Sequence, residues 1–373
     1  YYSAHFVLSC IKSPIYWVVV FIVYLQYRKL GKMEHMVLGS LKEPLYKRMI
    51  TSVILGILGG IVASMIFIVL GTTVNEMDFV YIFLIAILLS LIHPRFICFS
   101  YAGGLISLIS LTFGHPNIDI VSVMTVIAVL HLVESLLIIT DGHNERIPIF
   151  MEKDGHLVGG FNMSRFWPMP FMVLLNGKTM YPMVIIAVLG YGDYVLTKYP
   201  KTKTRETAAM LMLFSLILLS LSQLSIQYEQ LKYVLAIASP LLHELIIQFG
   251  RRCESTRRPI FLPSTMGLKI LDTIPNGVGE KMGLKTGDIL LKVNGQKVNS
   301  KVEIVESLKF RPKYIWVDVL DIKKGLVTKE YKDFRGIDSL EVLIIPKNPE
   351  YTILVEEVKG PLIRLLDKIK YKK

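Results

Sequence analysis

The sequence has little cysteine and little charge. Three cysteines in 373 residues (Cys10, Cys98 and Cys253) cannot build a disulfide framework. Cys10 and Cys98 lie in apolar runs, where a thiol packs as a small hydrophobe. Charged residues make up 19%, against about 25% in ordinary globular chains. A disordered chain and a single soluble globule are therefore excluded. Two catalytic patterns are also missing: no His-Glu-x-x-His stretch occurs, and no Gly-x-Ser-x-Gly. What is present is apolar. Hydrophobic residues reach 52%, and the mean hydropathy is +0.49. The charges are unevenly placed. Residues 1–250 carry 17 Lys+Arg and 14 Asp+Glu, whereas residues 251–373 carry 25 and 16. A membrane region followed by a basic soluble region is the expected order.

A hydrocarbon core of about 30 Å needs about 20 apolar residues per helix. Apolar runs predict spans at 14–27, 50–70, 79–92, 96–113, 120–140, 207–226 and 231–249. Residues 6–27 are too long and too aromatic for a cleaved signal peptide. The stretch 168–196 is apolar but cut by Pro168, Pro170, Asn176-Gly177-Lys178 and Pro182. It reads as a re-entrant hairpin or a pair of short helices, tolerated at membrane depth only when protein covers it. The connections alternate in charge. Arg28, Lys29, Lys32, Lys42, Lys47 and Arg48 crowd 28–49, while 71–78, 114–119 and 227–230 have no Lys or Arg. Segment 197–206 and the start of the tail, with Arg251, Arg252, Arg257 and Arg258, are basic again. By the positive-inside bias the tail is cytoplasmic, provided 168–196 enters and leaves on one side.

After residue 260 the pattern changes to short strands and turns. Gly267–Leu271 alternates, Val278–Met282 is helix-sized, Ile289–Val293 is a buried strand, and Asn294-Gly295 is a hairpin turn. A short amphipathic helix at 301–309 and strands at 314–320 and 340–345 follow. Pro275, the run Met282–Gly295 and the helix Ser300–Leu308 resemble the PDZ family of bacterial membrane and envelope proteins. That resemblance implies β-augmentation, in which a partner's extended C-terminus adds beside an exposed strand and its carboxylate sits in a nest of backbone N–H groups. The implied groove residues are Met266, Gly267, Leu268, Ile270, Lys301 and Val305, with a free edge at Gly267–Leu271. Thr265 stands where the family has a first glycine. Ile304 and Leu308 are expected to face the core.

The domain plan is thus 1–250 membrane region, 251–259 basic linker, 260–346 PDZ-like domain and 347–373 basic tail. In the tail, Leu362, Ile363, Leu365, Leu366 and Ile369 share one helical face, which suits an interfacial helix or packing on the PDZ domain. The fold class is an α-helical polytopic membrane domain of about seven or eight spans followed by a small α+β PDZ domain.

Ionisable residues inside spans are functional hypotheses by default. His131 and Glu134 lie on one face of the fifth span, His243 and Glu244 in the last, and Asp193 in the broken segment. Without His-Glu-x-x-His, neither a metal nor another cofactor is expected, and no residue is assigned a catalytic role. The run His131–Ile138, Gly159-Gly160-Phe161, Arg165–Pro170 and a last span ending His243–Gln248 before a PDZ domain resemble the MinJ-type multi-pass membrane PDZ proteins of the Gram-positive Min cell-division system. That resemblance implies a non-catalytic bridge between the scaffold DivIVA and the division inhibitor MinD, with no nucleic acid. The rival classes are an intramembrane metalloprotease with a PDZ substrate gate and a transporter with a regulatory PDZ domain.

Overall fold

The structure, a computed structural model, describes residues 2–176 and 180–347. The expected tail helix at 359–373 lies outside the described residues. Helix α1 (Tyr2–Ser9) and a short 3-10 turn lead into α2 (Pro14–Leu38), and the two limbs are bent by 78°. Pro14 sits at the first turn of α2, where its missing N–H costs nothing. Helix α3 (Leu45–Leu70) precedes the two-residue strand β1 (Thr73–Val74). Helix α4 (Glu76–Ile92) starts with Glu76 and Asp78, whose charges suit the positive end of the helix. A 3-10 turn joins it to α5 (Phe99–Phe113). Asp119 caps α6 (Ile120–Asp141) by accepting from the Ser122 N–H at 3.2 Å.

Each apolar run expected to span became a helix. Among the described residues, α3, α6, α7 (Pro200–Leu224) and α8 (Leu231–Thr256) are long and apolar enough to cross a membrane. The bent α1–α2 pair makes a fifth if it counts as one span. Helix α8 runs on through Arg251 and Arg252, so the expected linker begins as helix.

The broken stretch is where expectation and structure part. Among its described residues it contains no helix. Strand β2 (Ile147–Lys153) pairs with the 20-residue β3 (His156–Leu175), which pairs along its other edge with β4 (Tyr181–Val195). The connection from α6 into this stretch is also largely strand. The prolines that cut the apolar run disallow a helix interior, and two long strands satisfy each other's backbone groups.

Long strands leave edges, and an unpaired edge at membrane depth is costly. Between its pairings with β2 and with β1, the edge of β3 opposite β4 is covered by α3 and Tyr27. The register is simple. Four helical residues rise about 6.0 Å and two strand residues about 6.6 Å. Ser52, Gly56, Gly60 and Ser64 on α3 thus keep pace with Phe166, Pro168, Pro170 and Met172 on β3. Tyr27 Oη, 2.6 Å from Ser52 Oγ, receives the Phe166 N–H at 3.1 Å and lies 3.2 Å from the Phe166 carbonyl. Ser64 Oγ accepts the Met172 N–H at 2.8 Å. Pro168 and Pro170 have no N–H to satisfy, and their carbonyl oxygens press on Gly56 and Gly60, where a Cβ would collide. One face of β3 buries Trp167, Met169, Phe171 and Val173 in the membrane-region core.

The C-terminal sheet has the order β10 (Val342–Ile344), β5 (Leu268–Thr273), β6 (Ile289–Val293), β8 (Tyr314–Asp321), β9 (Gly325–Lys332), with the short β7 (Gln296–Lys297) beside β6. Helices α9 (Val278–Lys281) and α10 (Lys301–Ser307) pack on it. Strand β5 serves two cores. Leu268 and Ile270 enter the core of this domain, whereas Leu271 enters the membrane-region core. Strand β10 divides likewise: Val342 and Ile344 pack inward, Leu343 and Ile345 outward. Phe161 and Tyr199 meet Phe261 edge-on, and the Gly159 N–H donates to the Phe261 carbonyl at 2.8 Å. The C-terminal domain is therefore docked on the β2–β4 unit by shared apolar packing.

Candidate functional site

The expected groove residues are split by the fold. Leu268 and Ile270 are 2% and 0% exposed and belong to the domain core. Gly267 lies against the Leu290 carbonyl, in a position that a Cβ would not fit. The edge expected to be free at Gly267–Leu271 is occupied. Ile344 pairs with Ile270, Val342 with Thr273, and the Ile345 N–H donates to the Lys269 carbonyl at 2.9 Å. Apolar residues at 342–345 find two cores to fill only by lying along β5, a long-range choice with no local signature. Helix α10 follows its expected faces. Ile304 and Leu308 are buried, while Lys301, Val302 and Val305 are exposed. Ser300 caps it, accepting the Glu303 N–H at 3.3 Å, and Glu303 accepts the Asn299 N–H at 2.7 Å. Met266 and Val305 are exposed apolar groups, at 61% and 56%.

The surface where this domain meets the membrane region is rich in charge. A cleft of about 590 Å³ is lined by Lys42, Lys47, Asp141, Glu145, Arg146 and Asp272, among others. Lys42 pairs with Asp272 across it, and Arg146 is 3.9 Å from the same carboxylate. Burial pushes the Lys42 ammonium below its ordinary range, opposed by Asp272. Deeper, Arg48 joins Glu34 at 2.5 Å and Glu145 at 2.6 Å, and Arg165 joins Asp141 at 2.5 Å. Each buried charge meets an opposite one, as the cost of desolvation requires.

The intramembrane polar residues also divide. Glu244 is held by the Tyr101 hydroxyl at 2.6 Å, the Gln248 amide at 2.6 Å and Arg95 at 3.5 Å. Asp193 pairs with Lys203 at 3.4 Å. His131 and His243, far apart in sequence, stand together with ring centroids 5.2 Å apart. Cys98 completes the group: its Sγ is 3.2 Å from His131 Nε2 and 3.7 Å from His243 Nε2. The three donor atoms lie within 4.8 Å of one another, a grouping that could hold a metal ion although no metal was expected.

Small residues bring these three segments together. Gly103 of α5 meets Ile127 of α6, one turn before His131. Gly104 meets Ala236 and Pro240 of α8. Ser100 Oγ donates to the Ser239 carbonyl at 2.7 Å, and Ser239 Oγ to the Ser100 carbonyl at 3.1 Å. Phe214 of α7 lies edge-on to both imidazoles, at 5.3 and 5.8 Å. Glu134 and His243 line a neighbouring cavity of about 270 Å³. Cys98 was missed because it read as a small hydrophobe and its partners come from two other helices.

Residues 270–312 match the PDZ domain family. The chain is also similar to the cell division topological determinant MinJ of Bacillus subtilis (strain 168), with 23% identity over 227 residues. That similarity covers 54% of this chain and 57% of the relative, so the chain spans little more than half of the protein it matches. Both comparisons agree with the resemblance carried by the residues themselves: the chain is similar to the MinJ-type PDZ proteins.

Proposed function

We propose that this chain is a non-catalytic membrane adaptor that recruits protein partners through its PDZ domain at 260–346, in the placement of the division site. Helices α2 to α8 cross the cell membrane, and the β3–β4 hairpin enters and leaves on the cytoplasmic side. The basic segments 28–49 and 197–206 and the basic start of the tail support a cytoplasmic PDZ domain. The observation that carries the adaptor reading is the docking. Leu271, Leu343 and Ile345 belong to the membrane-region core, so the PDZ domain is held at the membrane with the outer face of α10 exposed. The relative's name, a cell division topological determinant, supports the process. DivIVA-like and MinD-like proteins are the candidate partners that the MinJ-type resemblance implies.

Lys301 and Val305 on α10, with Met266, form the proposed contact face. Strand addition at β5 would require β10 to leave, so side chains on this face dominate recognition. The test is Val305→Glu in the full-length chain in native membranes, with capture of a DivIVA-like and a MinD-like partner. The exposed position predicts unchanged folding and recruitment weakened by about tenfold or more. Recruitment of both partners at the wild-type level would move the contact face elsewhere.

A further inference from the structure

We propose that Cys98, His131 and His243 form a zinc site that cross-links α5, α6 and α8 inside the membrane region, an assignment independent of the adaptor reading. The donor set is one thiolate and two imidazoles, which suits zinc rather than magnesium or calcium. The two sulfur–nitrogen separations fit as well. A tetrahedral centre with Zn–S near 2.3 Å and Zn–N near 2.0–2.1 Å sets sulfur and nitrogen about 3.5 Å apart. The observed separations of 3.2 and 3.7 Å lie on either side of that distance.

The protonation pattern points the same way. His131 Nδ1 is 2.7 Å from the Ile127 carbonyl, which can only accept, so Nδ1 carries the proton and Nε2 presents a lone pair to Cys98. Metal-binding histidines are oriented by this kind of second bond. His243 turns its Nε2 to the same sulfur, and its Nδ1 is buried with no hydrogen-bond partner among the described residues. Without a metal, one thiol proton satisfies this trio only if His243 carries its own proton on Nε2, which leaves its buried Nδ1 an acceptor without a partner among the described residues. A divalent cation satisfies both nitrogens and the sulfur at once. On binding, the S–H bond breaks, a sulfur–zinc bond forms, and the proton leaves to solvent. A cavity of about 270 Å³ adjoins the group at His243, and a water entering from it would be the fourth ligand.

The site links three helices that also meet through small residues, a pair of serines and the Tyr101–Glu244 hydrogen bond. Its chemistry can be read directly with cobalt(II), which reports thiolate ligation by colour. The full chain is purified in detergent, stripped with a chelator and titrated with cobalt(II). About one cobalt per chain should bind, with a thiolate-to-cobalt charge-transfer band, intense visible bands of a four-coordinate centre, and displacement by zinc. A Cys10→Ser/Cys253→Ser double variant should keep the band, and Cys98→Ser should lose it. If Cys98→Ser fails to fold, the wild type and the double variant still decide. No charge-transfer band in wild-type protein whose helices are intact by circular dichroism would overturn the proposal. So would a band that survives in folded Cys98→Ser or disappears in the folded double variant.

Discussion

Gly60 on α3 lies directly beneath the carbonyl oxygen of Pro170 on β3, so close that no other residue type fits at that position. The glycine lets helix and strand approach. The proline removes the N–H that would otherwise stay unpaired on that edge. The pair repeats one helical turn earlier as Gly56 and Pro168. A strand edge in an apolar environment is thereby closed without a partner strand.

Gly60→Ala should cost about 1–3 kcal/mol, the usual range for overpacking, and more if the strand backbone cannot shift. The fitting control is Gly192→Ala on β4, where a Cβ meets no described atom within 4 Å. Thermal unfolding in detergent should separate the two variants clearly. Equal melting temperatures would refute the account of the β3 edge.

Leu271 and Ile270 are adjacent but serve different cores. Leu271→Ala should cost about 2–5 kcal/mol of docking energy, while the PDZ domain stays folded. Trypsin should then cut faster after the exposed Arg257, releasing a resistant fragment. Ile270→Ala should instead yield a fragment that is itself digested. The same fragment stability in both variants would contradict the division of β5 between two cores.

Acid should weaken the loop after α6 through His143. Burial, together with the charges of Lys201, Arg146 and Arg205 and against Asp141, pushes its imidazole below 6.5. The unfolded chain then binds the extra proton. The stability this group contributes is full above pH 6.5 and is lost as the pH falls through the lower folded value. Burial raises the neighbouring Glu145 carboxyl, so that group acts in the opposite direction. The informative quantity is therefore the difference between wild type and His143→Gln, measured from about pH 7.5 to about pH 5. The gap in melting temperature should close or change sign on acidification. A pH-independent gap would refute the role of His143.

Much of the fold was legible in the sequence because its signals are local. Each of the seven apolar runs expected to span became a helix, four of them long and apolar enough to cross a membrane. Asn294-Gly295 made its hairpin, because turn chemistry acts within a few residues. The alternation of Ile304 and Leu308 against Val302 and Val305 needed only the helical period.

What tertiary structure alone decided was partnership across long separations. The sequence showed that 168–196 was broken by proline, but the choice of strand depended on α3 presenting Ser52, Gly56, Gly60 and Ser64 at the spacing of β3. It showed an amphipathic β5, but Val342–Ile345 took the edge because those side chains could enter two cores at once. It contained Cys98, His131 and His243 without any pattern linking them. They converge because Gly103, Gly104, Ser100 and Ser239 let three helix backbones come close. Local chemistry follows from neighbours in the chain, whereas edges, cores and ligand sets depend on which distant surfaces pack best.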